Sequence, residues 1–554
     1  MTETCAPLHL GIDLGTGSLK LSAYAGERAF SASCGYDIFS PEPGIAETDP
    51  EAWIAALKTA WLAVRAQLQN AGLPIELASI GLSAQMHGFV PISETGAALH
   101  NAILWADLRG AEYAGLYSSL LAGSFDGLMN APAAGLTALI LLWMKHHEPE
   151  LYAKTHYILF PKDYLRFRLT GDIATDPGDA SASLLYDFRT CGWAEEAIEA
   201  LGLDHSKLPV IRDSFSPGGV VTSKASRETG LPEGVLVATG SADKACEIYG
   251  SGFFGEYFRE AALAGSPAKG IISHQTPARG KFLNSAPLRG TGMNSALSCE
   301  DMHSAPFRGH DSDWQSPKAA QVSIGTGIQV VIPVRGLAPY EPGLNFFESC
   351  VPTVRYRMAA MLNGGLALEW VLSMLNADWE SLYRAMDEGK TRMPQDLLFL
   401  PYLTGERSPY QNPDARGAWI GLGLHHTRND LLSAALLGVA CTIRLGMESL
   451  GVAPDASVYC VGGSTRYKAW MNIVSEVTER ALFVTDQPDA SVRGAAAIGR
   501  AMAETAAFDA PRLPAPLETT RIEAESPAWI EHYYSRFKSS YEALFGGRNG
   551  SNIF

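Results

Sequence analysis

Two short stretches, about three hundred residues apart, restrict this chain more than anything else in it. Leu8, Leu10, Ile12 and Leu14 alternate up to a Gly15-Thr16-Gly17 corner, and Leu19, Leu21 and Ala23 resume the two-residue period after it. That pattern predicts a β-hairpin with a tip rich in glycine and hydroxyl groups. Val322 to Val334 carries the same corner, Gly325-Thr326-Gly327, between apolar, β-branched runs. A repeated strand–corner–strand unit predicts a duplicated domain. Because glycine has no Cβ, backbone N–H groups at such a corner can approach an anion, and two corners can share one phosphate group. Asp13 stands on the strand just before the first corner. A carboxylate makes little sense against phosphate itself but good sense beside Mg²⁺, whose hard charge prefers carboxylate and water oxygens. An ordinary glycine hairpin is the alternative for either stretch taken alone.

Other nucleotide signatures are missing. The chain has no GxxxxGK[ST] loop, the first corner does not continue into GxGxxG because Lys20 stands in the way, and no protein-kinase HRD or DFG set occurs. With 554 residues the chain is too long for one core, and two domains of roughly 250 residues are expected. A net charge of −16 argues against nucleic acid or an anionic membrane as partner. The eight cysteines are scattered without a CxxC pair, so neither a zinc site nor a disulfide framework is indicated. Apolar runs such as 137–144 and 431–443 are too short to span a bilayer, and no signal segment precedes Leu8. A cytoplasmic enzyme is the expectation.

Taken in order, the chain offers a helix after Asp49-Pro50, with Trp53, Leu57, Trp61, Val64 and Leu68 at helical spacing. A buried strand from Ala78 to Leu82 runs into Gln85-Met86-His87-Gly88. Ligands sit at the carboxyl ends of strands in α/β sheets, so His87 can contact a polyol; a core histidine satisfied by a carbonyl is the alternative. Trp105, Asp107 and Arg109 alternate, which on an extended backbone points an aromatic, an acid and a base the same way, as a sugar site wants. A surface ion pair beside a structural tryptophan fits equally. Asp176 and Asp179 read as loop caps. Asp243 follows an apolar strand, Val235 to Thr239, at the start of a helix, where a carboxylate can take a proton from a substrate hydroxyl or simply cap the helix. Residues 255–318 are rich in Gly, Ser, Pro, Ala and Arg without sustained periodicity, which predicts a disordered surface insertion. Beyond it, 431–450 reads as a central packed helix, and 457–461 as a strand ending at Gly462-Gly463, a candidate adenosine pocket. A helix is expected over 495–507, closing the second domain.

Together these residues resemble the FGGY family of carbohydrate kinases from about Leu8 to Ala506, the 255–318 stretch excepted. The elements that carry the resemblance are Asp13-x-Gly15-Thr16, Gln85-Met86-His87-Gly88, Trp105-x-Asp107-x-Arg109, Pro161-Lys162-Asp163-Tyr164, Gly240 to Asp243, Ser323-Ile324-Gly325-Thr326, Leu403-Thr404-Gly405-Glu406-Arg407 and Gly462-Gly463. The resemblance implies an α/β fold of two actin-like (ribonuclease H-like) ATPase domains around a central cleft. They would span 1–245 and 246–510, with 511–554 a helical tail. It also implies transfer of the γ-phosphoryl of MgATP to the terminal hydroxyl of a ketopentose such as D-xylulose, the acceptor to which Met86-His87-Gly88 points. Another ketose or a polyol is the alternative acceptor, and a non-catalytic sugar- or nucleotide-binding regulator is the reading from a different class. Position by position, Asp243 would be the catalytic base and a sugar contact, and Asp13 the acid near Mg²⁺. Met86, His87, Trp105 and Asp107 would face the sugar. Gly15, Thr16, Gly17, Gly325, Thr326 and Gly327 would hold ATP phosphates, with Gly462 and Gly463 at the adenosine. The expected partners are sugar and nucleotide, without nucleic acid or membrane, in a chain compatible with a homodimer. Three features depart from the family pattern: Lys244 where asparagine is common, Ile140 near a frequent lysine, and the 255–318 stretch.

Overall fold

The alternation of Leu8–Leu14 is obeyed, yet all seven residues are buried, because this strand crosses the middle of a sheet covered on both faces. A computed structural model describes residues 7–255, 257, 317–387, 393–485, 489–504, 514–525 and 527–546. Leu10, Ile12 and Leu14 join Trp53, Leu57, Trp61, Val64 and Leu68 of helix Pro50–Asn70 in one core. The alternate positions face helix Ala490–Glu504, and Gly11 lies so close to it that a Cβ would stand 2.9 Å from the backbone nitrogen of Ala496.

The first sheet runs in space as Pro217–Val220, Leu236–Ala238, Leu77–Ala84, Leu8–Leu14, Ser18–Ala25 and Arg28–Gly35. Its last three strands form an antiparallel meander, while Leu77–Ala84 and then Leu236–Ala238 add in parallel to the Leu8–Leu14 side. The second sheet repeats this plan. Ala319–Ile324, Ile328–Arg335 and Val354–Met361 form the meander, and Ser457–Val461 and Leu482–Val484 add in parallel. The duplication read from two glycine corners is therefore a duplication of topology, each corner joining the first two strands of a meander.

Parallel neighbours need crossover connections, and helices supply them. Helix Pro50–Asn70 starts as its sequence predicts, with the Asp49 carboxylate accepting from the N–H of Glu51 at 2.9 Å and proline in the first turn. In the second domain the crossover is helix Arg428–Ser449, opened by a reciprocal Thr427–Asp430 capping box. At 22 residues this helix is longer than the expected apolar run and long enough by composition to cross a membrane. It is instead the core of the second domain, with 94% of its most apolar window buried.

Two boundaries differ from expectation. Helix Ala490–Glu504 was expected to close the second domain but packs on the strands of the first sheet. Its alanines and glycines, which lower its own apolar bulk, are what let it lie flat on them. Nor is 511–554 a separate tail. Thr520–Ile522 pairs with Leu482–Val484 at the sheet edge, and helix Trp529–Phe545 buries Ile530, Tyr533, Tyr534, Phe537 and Tyr541 in the second core. Residues 258–316, most of the expected insertion, lie outside the described residues.

A satellite core around helix Thr137–His147, where Ile140 is buried, belongs to the first domain, while Met129, Ala180, Tyr186 and Phe188 beside it join the second core. Asn130 both donates to the carbonyl of Phe346 at 2.8 Å and accepts from its N–H at 2.9 Å, and the Ser181 hydroxyl accepts from the N–H of Glu348 at 3.0 Å. These bonds cover the outer edge of strand Asn345–Glu348, which would otherwise offer unpaired backbone groups.

Candidate active site

Both glycine corners are built to leave N–H groups open. In the first, the N–H of Gly15 donates to the carbonyl of Ser18 at 3.0 Å, while those of Thr16 and Gly17 have no acceptor among the described residues. In the second, Gly325 donates to the carbonyl of Gly327 at 3.0 Å and Thr326 and Gly327 are left open in the same way. Successive free N–H groups form a concavity suited to an anion. The second corner is also held from behind, since the N–H groups of Gly365 and Leu366, opening helix Gly365–Met374, donate to the carbonyls of Gly325 and Thr326, each at 2.9 Å. Gly462 adopts φ 111° against the base of this corner, where a Cβ would lie 2.6 Å from the carbonyl oxygen of Ile324. The Ser464 hydroxyl donates to that oxygen at 2.7 Å. The expected adenosine turn and the second glycine corner are thus adjacent.

Strand register gathers the acids. Asp13 is paired with Lys20 on one side and Ser83 on the other. The Ser83 hydroxyl donates to one Asp13 oxygen at 2.6 Å, and that of Ser491, from helix Ala490–Glu504, donates to the other at 2.8 Å. Lys20 forms an ion pair with Asp489 at 2.5 Å. Burial pushes the Asp13 carboxyl above the usual range. Ser241-Ala242 pairs with Ser83-Ala84, so the chain delivers Asp243 beside Asp13 as the first residue of helix Asp243–Ser251. Asp243 does not cap that helix from outside; its carboxylate accepts from the adjacent N–H of Lys244 at 2.7 Å. Burial, and then the charge of Asp13, lift its pKa to about 7.

Lys244 is turned away from this group. Its ammonium donates to Glu247 at 2.8 Å and to the Ser323 hydroxyl at 2.9 Å, tying the helix to the strand before the second corner. Behind Asp243 lies a fully buried charge cluster: Lys162 stands 2.5, 3.2 and 3.3 Å from Asp163, Asp176 and Asp179. Asp176 caps helix Pro177–Ser181 as expected, and it also accepts from the Ser241 hydroxyl at 2.5 Å, which fixes the strand end that carries Asp243. Asp179 is a member of the charge cluster rather than a loop cap.

His87 sits at the end of strand Leu77–Ala84 with φ 73°, a left-handed conformation unusual for this residue. Its Nδ1 lies 2.8 Å from the carbonyl oxygen of Ala182 and therefore carries the proton. Burial holds the ring neutral by lowering its pKa to about 4. The lone pair is then on Nε2, free to accept from a hydroxyl. Both sequence readings of His87 are combined: one nitrogen is satisfied by the core and the other is available. Phe347 of the second domain faces the ring at 6.1 Å, and Met86 is buried beside it. Trp105 donates from its indole nitrogen to the Thr16 hydroxyl at 2.9 Å, linking this side to the first corner.

Asp107 has a different task from the expected sugar contact. The chain turns at Leu104–Asp107 instead of staying extended, so Trp105 and Asp107 diverge. Asp107 is fully buried, and its two oxygens accept from Arg109 and from the N–H of Ala46 at 3.0 Å. It holds the loop. One further group, Asp396 with His425 and His426, resembles a metal site by composition. The N–H of Gly423 donates to Nδ1 of His426 at 2.9 Å, which leaves the ring proton on Nε2, 3.3 Å from Asp396, so this neutral ring turns a proton rather than a ligand lone pair toward the carboxylate.

Sequence reasoning gave no site role to Lys20, Ser83, Asp489, Ser491 and Glu247, and quoted Ser323 only as part of the second corner's motif. Lys20 and Ser83 were accessible from strand register around Asp13; Asp489, Ser491 and Glu247 meet their partners across the two domains and leave no local signal.

The FGGY family of carbohydrate kinases matches in both halves, its N-terminal domain over residues 8–250 and its C-terminal domain over 322–503. A xylulose kinase of Staphylococcus xylosus is 27% identical over 502 residues, covering 88% of this chain and 89% of that protein. One from Lactococcus lactis is 27% identical over 555 residues, with coverage of 97% and 98%. Among solved structures, a xyloylose kinase from Brucella ovis superposes with a TM-score of 0.77 at 27% identity, over 97% of this chain and 99% of that one. The ADP-bound glycerol kinase of Plasmodium falciparum shares the fold, with a TM-score of 0.72 at 18% identity over 99% of each chain.

Proposed function

The chain belongs to the FGGY family of carbohydrate kinases, and from that premise we propose that it phosphorylates D-xylulose at the terminal hydroxyl, with MgATP as donor. The observation that carries the reading is Asp243, a carboxylate with its pKa lifted to about 7, standing beside Asp13 in a site with two glycine corners whose N–H groups are open. A base of that strength is matched to taking a hydroxyl proton near neutral pH. The relatives named xylulose kinase support the choice of sugar.

In this mechanism the sugar lies against Met86 and accepts order from His87, whose Nε2 takes a hydrogen bond from a hydroxyl. Its terminal oxygen attacks the γ-phosphorus, the proton passes to Asp243, and the bond from phosphorus to the ADP oxygen breaks. The free N–H groups of the two corners hold the phosphates in line, and positioning of this kind supplies most of the acceleration in phosphoryl transfer. Trp105 braces Thr16, and Gly462-Gly463 receives the adenosine.

The donor set around Asp13 is all oxygen: a carboxylate whose bonds to Ser83 and Ser491 leave acceptor capacity over, with Asp243 nearby. That suits a hard divalent cation. Asp13 would hold Mg²⁺, which when bound neutralises phosphate charge. The same reading gives a cytoplasmic enzyme whose partners are sugar and nucleotide.

An ATP-coupled assay across pentuloses, hexuloses and polyols tests the substrate, with D-xylulose expected to give the highest kcat/KM. Asp243→Asn keeps the shape but cannot take the proton, so kcat should fall by about 10²–10⁴ while ATP still binds. Near-parental turnover in that variant would remove Asp243 as the base.

A further inference from the structure

Arg407 has no task in the fold. It is half-buried, its guanidinium loses much of its hydration, and it forms no ion pair among the described residues. The neighbouring Glu406 does not neutralise it by contact: one oxygen of that carboxylate accepts from the N–H groups of Leu362 and Arg407, both at 2.8 Å, and the other is buried without a partner. An unpaired buried cation is costly and calls for an anion that arrives later.

The loop that presents Arg407 is built with care. Asn363 donates to the carbonyl of Gly405 at 2.7 Å and accepts from the N–H of Thr404 at 3.3 Å. Ser408 exchanges two bonds with Ala360, its N–H donating at 3.1 Å and its hydroxyl accepting at 2.9 Å. Gly405 takes φ 77° where a Cβ would meet the carbonyl oxygen of Pro413 at 2.6 Å. These anchors, Ala360 near the end of strand Val354–Met361 and Leu362 and Asn363 just after it, flank the point that packs on the second corner, since a Cβ on Gly327 would lie 2.8 Å from the carbonyl oxygen of Met361. On its other side the guanidinium is near enough to His87 to disfavour protonation of that ring. The loop therefore sets Arg407 next to the turn behind the second corner, with its charge felt at the histidine on the sugar side.

We propose that Arg407 is a catalytic residue of the C-terminal domain whose guanidinium donates hydrogen bonds to the non-bridging oxygens of the phosphoryl group in transit. The assignment rests on the phosphoryl-transfer reading above. The guanidinium keeps its protons throughout, forming no bond to phosphorus, while the sugar proton goes to Asp243 and ADP leaves. Glu406 and Asn363 are positioning residues that aim it.

The test compares the parent with Arg407→Gln and Arg407→Lys in three measurements: kcat, melting temperature, and affinity for MgADP with and without aluminium fluoride, a mimic of the transferring phosphoryl. In Arg407→Gln, kcat should fall by about 10²–10³. MgADP should bind as in the parent, the melting temperature should hold or rise, and the gain in affinity from aluminium fluoride should shrink at least about tenfold. Arg407→Lys should recover part of that gain, since charge remains but the fork is lost. Parental kcat and parental aluminium fluoride gain in Arg407→Gln would overturn the proposal alone. So would equal loss of melting temperature and of plain MgADP binding in both variants, which marks a structural residue. A parent that gains nothing from aluminium fluoride would overturn the phosphoryl-transfer reading, and Arg407 with it.

Discussion

Gly81→Ala adds one methyl group at the place where the two halves of the chain are joined. Gly81 is paired in register with Gly11, and helix Ala490–Glu504 lies across both. A Cβ at Gly81 would overlap the Ala495 carbonyl, 2.5 Å from its carbon and 2.9 Å from the nitrogen of Gly499. Ordinary contact begins at 3.4 Å, so the helix must lift by about 0.9 Å or more, and the obstacle is backbone that cannot rotate away. Ser491 rides on that helix, and its 2.8 Å bond to Asp13 would open past hydrogen-bond range, with the ion pair of Lys20 and Asp489 disturbed as well. Overpacking of this kind costs about 1–3 kcal/mol, and rigid neighbours place Gly81→Ala at the upper end. At roughly 2–4 °C per kcal/mol for domains of this size, the melting temperature should drop by about 6–12 °C. Calorimetric melts beside a coupled kinase assay would read both effects, with turnover falling as Asp13 loses its support. Gly115→Ala is the control, because nothing lies within 4 Å of its Cβ and alanine suits the helix Ala114–Leu120. If Gly81→Ala melts with that control and keeps parental turnover, the glycine seam does not couple the domains.

Two further outcomes follow from the buried groups. His87→Ala removes one hydrogen bond to the sugar, a loss of about 1–3 kcal/mol that should appear in the sugar kcat/KM and spare MgADP affinity. Because burial lowers the folded pKa of His87 to about 4 from 6.5, its neutral form is favoured in the fold; that contribution is present above pH 6.5 and lost as pH falls toward 4. The variant's melting temperature should therefore fall less steeply than the parent's across that window, and parallel curves would contradict the assignment. Lys162→Met would leave Asp163, Asp176 and Asp179 buried without their shared cation, at a cost of about 3–5 kcal/mol. Urea melts showing a loss under about 1 kcal/mol would mean that the cluster is already neutral without the lysine.

Much of the fold was legible because its signals are local. Period-two runs, the Asp49-Pro50 start and the strand–glycine–helix junctions each occupy a few consecutive residues, and all reappear at the expected places. What could not be read is whatever depends on partners far along the chain. Ala490–Glu504 looks like a self-contained helix of the second domain, and only its glycines, Gly494 and Gly499, hint that another backbone must come close. The same holds in the site. Asp13, Asp243 and His87 stand at strand ends, where the sequence marks them, whereas Ser491 reaches Asp13 from 478 residues away. Asp107 misled because alternation implies one face only on an extended backbone, and a turn at 104–107 breaks that condition.

The charges of the cleft explain why these distant partners matter. Lys20 is paired with Asp489 and Lys244 with Glu247, so neither cation forms its ion pair with Asp13 or Asp243, and the charge each lends to the nearer of those carboxylates is outweighed by burial. The two remaining carboxylates sit close enough that the charge of Asp13 raises the proton affinity of Asp243. In water such a pair would be trivial; in a site shielded by Phe347, Met86 and the seam helix it is a standing deficit of positive charge. Hydroxyl bonds from Ser83 and Ser491 ease the burden on Asp13, and they come from both ends of the chain. Asp243 has no donor among the described residues beyond the N–H of Lys244, and burial with the charge of Asp13 lifts its proton affinity into the range a base near neutral pH requires. A cation arriving beside Asp13 and an arginine waiting at the far side of the phosphate corner would complete the balance when the nucleotide is bound. The open N–H groups of the two corners, Arg407 without an ion pair among the described residues, and the two buried carboxylates thus form one arrangement on this proposal, in which a charged substrate and its cation would offset the cost that each group carries.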